Sequence, residues 1–186
     1  MAMRRLITAL MLLSLAACST LDHGVAEPPE PFDPSLLGTW QAEKAAAGNY
    51  VTLFASGPDQ LGLRLVEGPK CEKVDIMHAQ ARRLGKTWFI DVKQGKTVAA
   101  VIAYEWDGSN RLHLYSLKWD LLSRAIQQGT LPGEIVGEDQ WHLTASSEQL
   151  RDFIAAHPDI LSPELSLTRA DKIPCPDIVE SLDPRR

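Results

Sequence analysis

Alternation of apolar and polar residues with a period of two is the feature that most limits how this chain can fold. The segment 60–66 places Leu61, Leu63 and Leu65 on one face of an extended chain. Such alternation is typical of strands that bury one side. Other segments with strand character are 50–54, 72–79, 86–92, 98–106 and 111–115.

Clusters of turn-forming residues separate these segments, and no helix long enough for a crossover lies between them. Strands that follow each other through tight turns pair antiparallel. A long meander tends to close, because closure removes unpaired edges. The sequence therefore predicts a mainly β fold, an antiparallel meander closing into a small barrel. The turn clusters include Ser56-Gly57-Pro58-Asp59, Gln94-Gly95 and Asp107-Gly108.

Two short helices are predicted within this pattern, near residues 119–128 and 147–157. The first has apolar residues at helical spacing and stops at Gly129, a residue suited to follow a helix end. The second begins with Ser146-Ser147-Glu148-Gln149, which has the form of a capping box, and should end before Pro158. Further strands are predicted at 140–144 and 164–169.

The N-terminal segment predicts export. Arg4 and Arg5 precede an apolar run from Leu6 to Ala17, which is shorter than the roughly 20 residues of a membrane-spanning helix. We therefore interpret residues 1–17 as a signal peptide. Net charge is -5 and no dense basic stretch follows the signal, so a nucleic-acid partner is not expected.

The end of this run, Leu15-Ala16-Ala17-Cys18, resembles the lipobox of bacterial lipoprotein precursors. The resemblance implies cleavage before Cys18, attachment of lipid to its thiol, and anchoring in a membrane. Two or more acyl chains hold a protein there stably. Ser19 in place of aspartate implies the outer membrane, with the domain facing the periplasm. The alternative is an ordinary cleaved signal in which Cys18 is incidental.

The remaining cysteines, Cys71 and Cys175, form an even pair in a compartment that permits disulfides. The alternatives are a disulfide and two free buried thiols. Four prolines between residues 28 and 34 exclude helix and inner strand, so residues 18–35 are expected to form an extended linker. A single β-rich domain is then expected at 36–175, with a C-terminal tail at 176–186.

Gly38-Thr39-Trp40 opens the first barrel strand and Arg169 lies in the last predicted strand. This resembles the Gly-x-Trp signature of lipocalins, in which an arginine from the end of the barrel packs across the tryptophan. The resemblance implies that Gly38, Trp40 and Arg169 close a barrel. It also implies an internal pocket for a small apolar ligand.

Residue types used in catalysis occur without the spacing that catalysis needs. Ser116, Asp120 and His142 could supply a nucleophilic triad, but no Gly-x-Ser-x-Gly elbow is present. His78, His113 and His142 could meet as metal ligands, but no two have the spacing that positions a pair. We therefore predict no catalytic residue, no metal and no cofactor, and expect that the protein is not an enzyme.

Two functions remain open at this point. A barrel with a cavity would bind a small apolar molecule at the cell envelope. A filled barrel would act through its surface on another envelope protein, as an inhibitor, assembly factor or scaffold. Large aromatic side chains could line a cavity or simply fill the core. The tryptophans are Trp40, Trp88, Trp106, Trp119 and Trp141.

Overall fold

The computed structural model describes residues 20–43, 49–67, 73–108, 110–137 and 140–170. Within these ranges it contains eleven β-strands and two α-helices. In chain order they are β1 (Thr20–Leu21), β2 (Gly38–Ala42), β3 (Tyr50–Gly57), β4 (Gln60–Glu67), β5 (Lys73–Leu84), β6 (Thr87–Gln94), β7 (Thr97–Trp106), β8 (Arg111–Leu117), α1 (Trp119–Gln127), β9 (Gly133–Gly137), β10 (Gln140–Leu143), α2 (Ser147–Ala156) and β11 (Leu161–Arg169).

Eight of the strands form a closed antiparallel barrel, which confirms the fold class expected from the sequence. Strands β2 to β8 pair in chain order, and β11 completes the ring by pairing with both β8 and β2. Because all neighbours are antiparallel, short turns connect most of them. At the point of closure, Arg169 of β11 lies opposite Trp40 of β2.

The barrel interior is built from the apolar half of the alternating pattern. Leu61 and Leu63 on β4, Ile90 and Val92 on β6, and Leu112 on β8 belong to one buried cluster. Successive strand residues point to opposite faces, so a period of two delivers one continuous apolar surface to the inside.

A second apolar cluster lies outside the barrel, against β6 and β7. It combines Phe89 and Ala103 of these strands with side chains of α1, α2 and β1. Both helices and the β9–β10 pair fall between β8 and β11, so this layer is one insertion before the last barrel strand. The barrel and the insertion therefore have separate cores that share the wall formed by β6 and β7.

Both predicted helices are confirmed. Helix α1 ends at Gln127, and Gly129 follows with φ 68°, a conformation that suits glycine after a helix. Helix α2 has the complete capping box: the Ser146 hydroxyl accepts from the Gln149 N–H, and the Gln149 side chain accepts from the Ser146 N–H. It ends at Ala156, one residue earlier than expected.

The linker expected at 18–35 requires correction, because residues 20–35 pack on the barrel. We call residues 20–37 the N-terminal strap. Leu21, Val25 and Ala26 are buried, and the Glu30 N–H donates to the Ala81 carbonyl. The prolines exclude regular structure, as expected, but they do not prevent an irregular segment from burying its apolar side chains. The folded domain therefore includes the strap and begins before residue 36.

Cys18, Cys71, Cys175 and the expected tail at 176–186 lie outside the described residues, so lipidation and the disulfide remain predictions. Among the residues that are described, none of the helices has the length and apolar character needed to cross a membrane.

Candidate functional site: the barrel cavity and its closed end

Arg169 closes one end of the barrel over Trp40. The Arg169 Cζ atom lies 4.6 Å from the centre of the Trp40 ring. The guanidinium also donates to the Leu37 carbonyl at 3.0 Å and to the Ser35 carbonyl at 2.5 Å. The structure thus brings together the arginine and tryptophan that the sequence assigned to barrel closure, and the strap adds two carbonyl acceptors.

Gly38 is required by this arrangement for two reasons. Its φ of 136° is a conformation that side-chain-bearing residues rarely adopt. A Cβ at this position would also lie 2.6 Å from Arg169 Nη1. Glycine therefore lets the arginine reach across the start of β2.

A cavity of about 110 Å³ lies inside the barrel, above this closed end. Leu36 and Trp40 form its floor, and the Trp40 Nε1–H donates to the Leu36 carbonyl at 2.9 Å. At the opposite end the lining side chains are half-buried rather than buried, Tyr50 and Leu165 among them. The wall between is mainly aliphatic: Leu53, Leu63, Leu65, Ile90, Ile102, Leu112 and Leu167.

Tyr104 is a polar residue buried in the wall of the cavity. Its side chain is 2% exposed, and its hydroxyl has no hydrogen-bond partner within the part of the chain that the structure describes. Burial raises the pKa of Tyr104, so the hydroxyl stays protonated and can donate. An unpaired buried hydroxyl costs free energy, so Tyr104 makes the barrel less stable than an apolar residue of the same shape would.

The tryptophans have different roles. Trp40 lines the cavity. Its ring packs edge to face against Trp106, with the ring centres 5.4 Å apart. Trp88 stacks on Tyr104. Trp119 and Trp141 stack on each other at 5.8 Å in the insertion outside the barrel. Of the two roles considered for the tryptophans, lining this cavity applies to Trp40.

Asp91 fastens the strap to the outside of β6. The carboxylate is fully buried and accepts from the Val25 N–H at 3.2 Å and the Ala26 N–H at 2.6 Å. Burial raises the pKa of Asp91 to about 6, against the lowering effect of these hydrogen bonds and of Lys93. On its other side, Arg151 of α2 donates to the Val25 carbonyl. The strap is therefore held between the barrel and the insertion.

His142 links the strap to the insertion at its other end. The imidazole lies 2.8 Å from Asp22 and 3.6 Å from Glu134, and the hydrogen bond to Asp22 is the main cause of its raised pKa. Asp22 and Glu134 are therefore the polar partners of the His142 imidazole.

The triad that the sequence analysis considered is not assembled. Ser116 donates to Glu164 and Asp120 pairs with Arg124, so neither meets His142 as a triad would require. Across the described ranges, no group of three or more histidine, cysteine, aspartate or glutamate side chains is placed to hold a metal ion.

One cluster was missed in the sequence. His113 Nδ1 lies 2.9 Å from Ser166 Oγ, and His113 Nε2 lies 3.7 Å from Asp107 beside a surface groove of about 320 Å³. The latter distance exceeds that of a hydrogen bond, so the carboxylate does not orient the imidazole as in a catalytic triad. No sequence signal points to this cluster, because Ser166 and His113 meet only through the pairing of β8 with β11.

Comparisons of the chain with protein-family models, with curated proteins and with solved structures found no match.

Proposed function

We propose that this protein is a lipid-anchored lipoprotein of the bacterial envelope, held in a membrane through Cys18, whose barrel takes up the apolar end of a small molecule. The observation that carries the ligand is the 110 Å³ apolar cavity above the Trp40 floor. Support for the anchor comes from the lipobox at residues 15–18. The proposal includes no catalytic step.

The size of the cavity limits the ligand. Sites that enclose drug-sized molecules run to roughly 300–1,000 Å³, and an engineered apolar cavity of about 150 Å³ accepts benzene. At about 30 Å³ for each small group, the barrel holds about four carbon atoms. Burying four methylenes gives about 3 kcal/mol, which is roughly a hundredfold gain in affinity. The rest of the ligand must lie outside, at the end near Tyr50.

A second function is favoured by the same volume. Because 110 Å³ is well below the usual range for ligand sites, the barrel also fits a mostly filled scaffold that acts through its surface on another envelope protein. The two functions differ in whether any apolar probe enters the barrel.

A series of straight-chain alcohols from one to ten carbons tests the first function. We expect the affinity, read from tryptophan fluorescence or calorimetry, to rise up to about four carbons and then to level off. Ile102→Phe, which fills the cavity wall, should reduce binding at least tenfold. The matched control Ile76→Phe changes an exposed residue of β5 and should leave binding unchanged.

Two results would contradict the proposal. If no alcohol binds the folded protein, or if Ile102→Phe binds as the parent does, the cavity is not a ligand site and the surface function takes its place. The anchor is tested separately, by the mass of the protein extracted from membranes. We expect a mature chain that starts at lipid-modified Cys18, and an unprocessed precursor for Cys18→Ser.

A further inference from the structure

The described surface exposes few large apolar side chains, and two of them are adjacent. Val136 is 53% exposed and Ile135 is 38% exposed, both on β9. The register with β10 shifts at Val136, so the regular alternation of faces is interrupted between these two residues. In the described sheet β9 pairs only with β10, so it is an edge strand. Exposed apolar residues on an edge strand invite association, and proteins usually avoid them unless they are used.

The position of β1 limits how far the chain before it can extend from this edge. Strand β1 runs parallel to β10, with Thr20 opposite His142, and β10 separates it from β9. Two strand spacings amount to about 10 Å. Cys18 is two residues before Thr20, and two residues of extended chain span at most about 7 Å.

The strap is fixed to the folded domain from Leu21 onwards. Leu21 is buried directly after Thr20, and Asp91 holds the N–H groups of Val25 and Ala26. A lipid on Cys18 would therefore keep β9 within about 17 Å of the point of lipid attachment, whereas a flexible linker would let the domain turn freely.

We propose that the β9–β10 pair is a membrane-contacting surface, with Ile135 and Val136 entering the boundary between headgroups and acyl chains beside the lipid of Cys18. The inference rests on the proposed anchor. Ile135 lies opposite Trp141 on the neighbouring strand, and Trp141 stacks on Trp119. An aromatic pair is therefore adjacent to the proposed contact. Tryptophan is favoured at membrane interfaces because its ring is amphipathic.

Charge near this surface determines the depth of contact and the type of lipid. Asp22 and Glu134 both lie close to His142, and His142 pairs with Glu134 one position along the strands from the Ile135–Trp141 pair. Carboxylates need water, so the strands lie along the surface at headgroup level and do not insert end-on. Acidic groups also repel anionic headgroups, so a zwitterionic lipid surface is the expected partner.

The test uses the full, lipidated protein in phosphatidylcholine vesicles that contain brominated acyl chains, which quench nearby indoles. Val136→Trp places a new indole in the proposed contact. Ile76→Trp is the matched control, because Ile76 is also an exposed aliphatic strand residue, at 45%, but lies on β5 of the barrel wall. We expect the indole added at position 136 to be quenched at least threefold more than the one added at position 76.

The outcomes separate the two proposals. If Cys18 carries lipid and the protein is on the vesicles, but both added indoles are quenched equally, the membrane-contacting surface is wrong and the anchor stands. A blue-shifted emission at position 136 without quenching by bromine would indicate a protein partner or a second copy, and would also overturn the lipid contact. If Cys18 carries no lipid, the anchor itself fails and this inference fails with it.

Discussion

Replacing Arg169 with alanine should destabilise the barrel by about 3 kcal/mol. Hydrogen bonds from a charged donor contribute roughly 1.5–3 kcal/mol when buried, and we take about 1 kcal/mol for each of the two carbonyls because Arg169 is only partly buried. The guanidinium over Trp40 adds about 1 kcal/mol. For a domain of this size, 3 kcal/mol lowers Tm by about 6–12 °C.

Urea and thermal unfolding monitored by tryptophan fluorescence give the free energy of unfolding directly. The matched control is Arg111→Ala, which removes an exposed arginine of β8 that pairs with Glu43 and should cost less than about 1 kcal/mol. Arg169→Lys keeps the positive charge but not the forked geometry, so it should lose about half as much as alanine.

Two results would refute this account of the closed end. One is a loss for Arg169→Ala that is no larger than the loss for Arg111→Ala. The other is a double-mutant cycle between Arg169→Ala and Trp40→Leu whose coupling energy is zero, because contacting residues are expected to couple by at least about 0.5 kcal/mol.

Three further predictions concern other parts of the fold. The raised pKa of Asp91 means that its carboxylate binds a proton more tightly when folded, so stability should fall by about 3 kcal/mol as pH rises from 4 to above 6, and Asp91→Asn should flatten that unfolding profile. Ser146→Ala should cost about 1 kcal/mol in urea unfolding through loss of the α2 cap, and an unchanged midpoint would contradict it. Peptide mapping without reductant should find Cys71 joined to Cys175; two alkylated free thiols would reject the disulfide.

The barrel could be predicted because its signal is local. Each strand shows alternation over a few residues, and each turn has its own glycine or proline. The segments predicted at 60–66 and 86–92 therefore correspond closely to β4 and β6. The contact of Trp40 with Arg169 came from the resemblance to lipocalins. The cavity volume could not be predicted, because it depends on how side chains from different strands fill the interior.

The strap could not be predicted from its composition, because its burial depends on a residue far along the chain. Val25 and Ala26 bond to Asp91, which is 66 and 65 positions away. The sequence contains one signal for this contact. Asp91 lies in segment 88–92, which is apolar on both faces, so its carboxylate needs hydrogen-bond donors from elsewhere in the chain. Gly24 is its counterpart, since a Cβ there would lie 1.9 Å from Asp91 Oδ2.

Strand β9 was not among the predicted strands, because Gly133 and Gly137 bound it and glycine is more typical of turns than of strands. Its strand geometry comes from pairing with β10, with Gly133 opposite Leu143 and Glu134 opposite His142. Its start also packs closely, because a Cβ on Gly133 would lie 2.9 Å from the His142 carbonyl oxygen. Tertiary packing therefore overrides the local turn preference of these glycines.

The strap connects the proposed lipid site to the floor of the barrel cavity in one segment. At Thr20 it begins two residues from the proposed lipid on Cys18, and at Leu36 and Leu37 it supplies the cavity floor and an acceptor for Arg169. Prolines suit such a segment because they reduce the freedom of the unfolded chain without needing regular hydrogen bonds. A segment with the composition of a spacer therefore closes one end of the barrel, and under the proposed function it would also hold the barrel near the membrane.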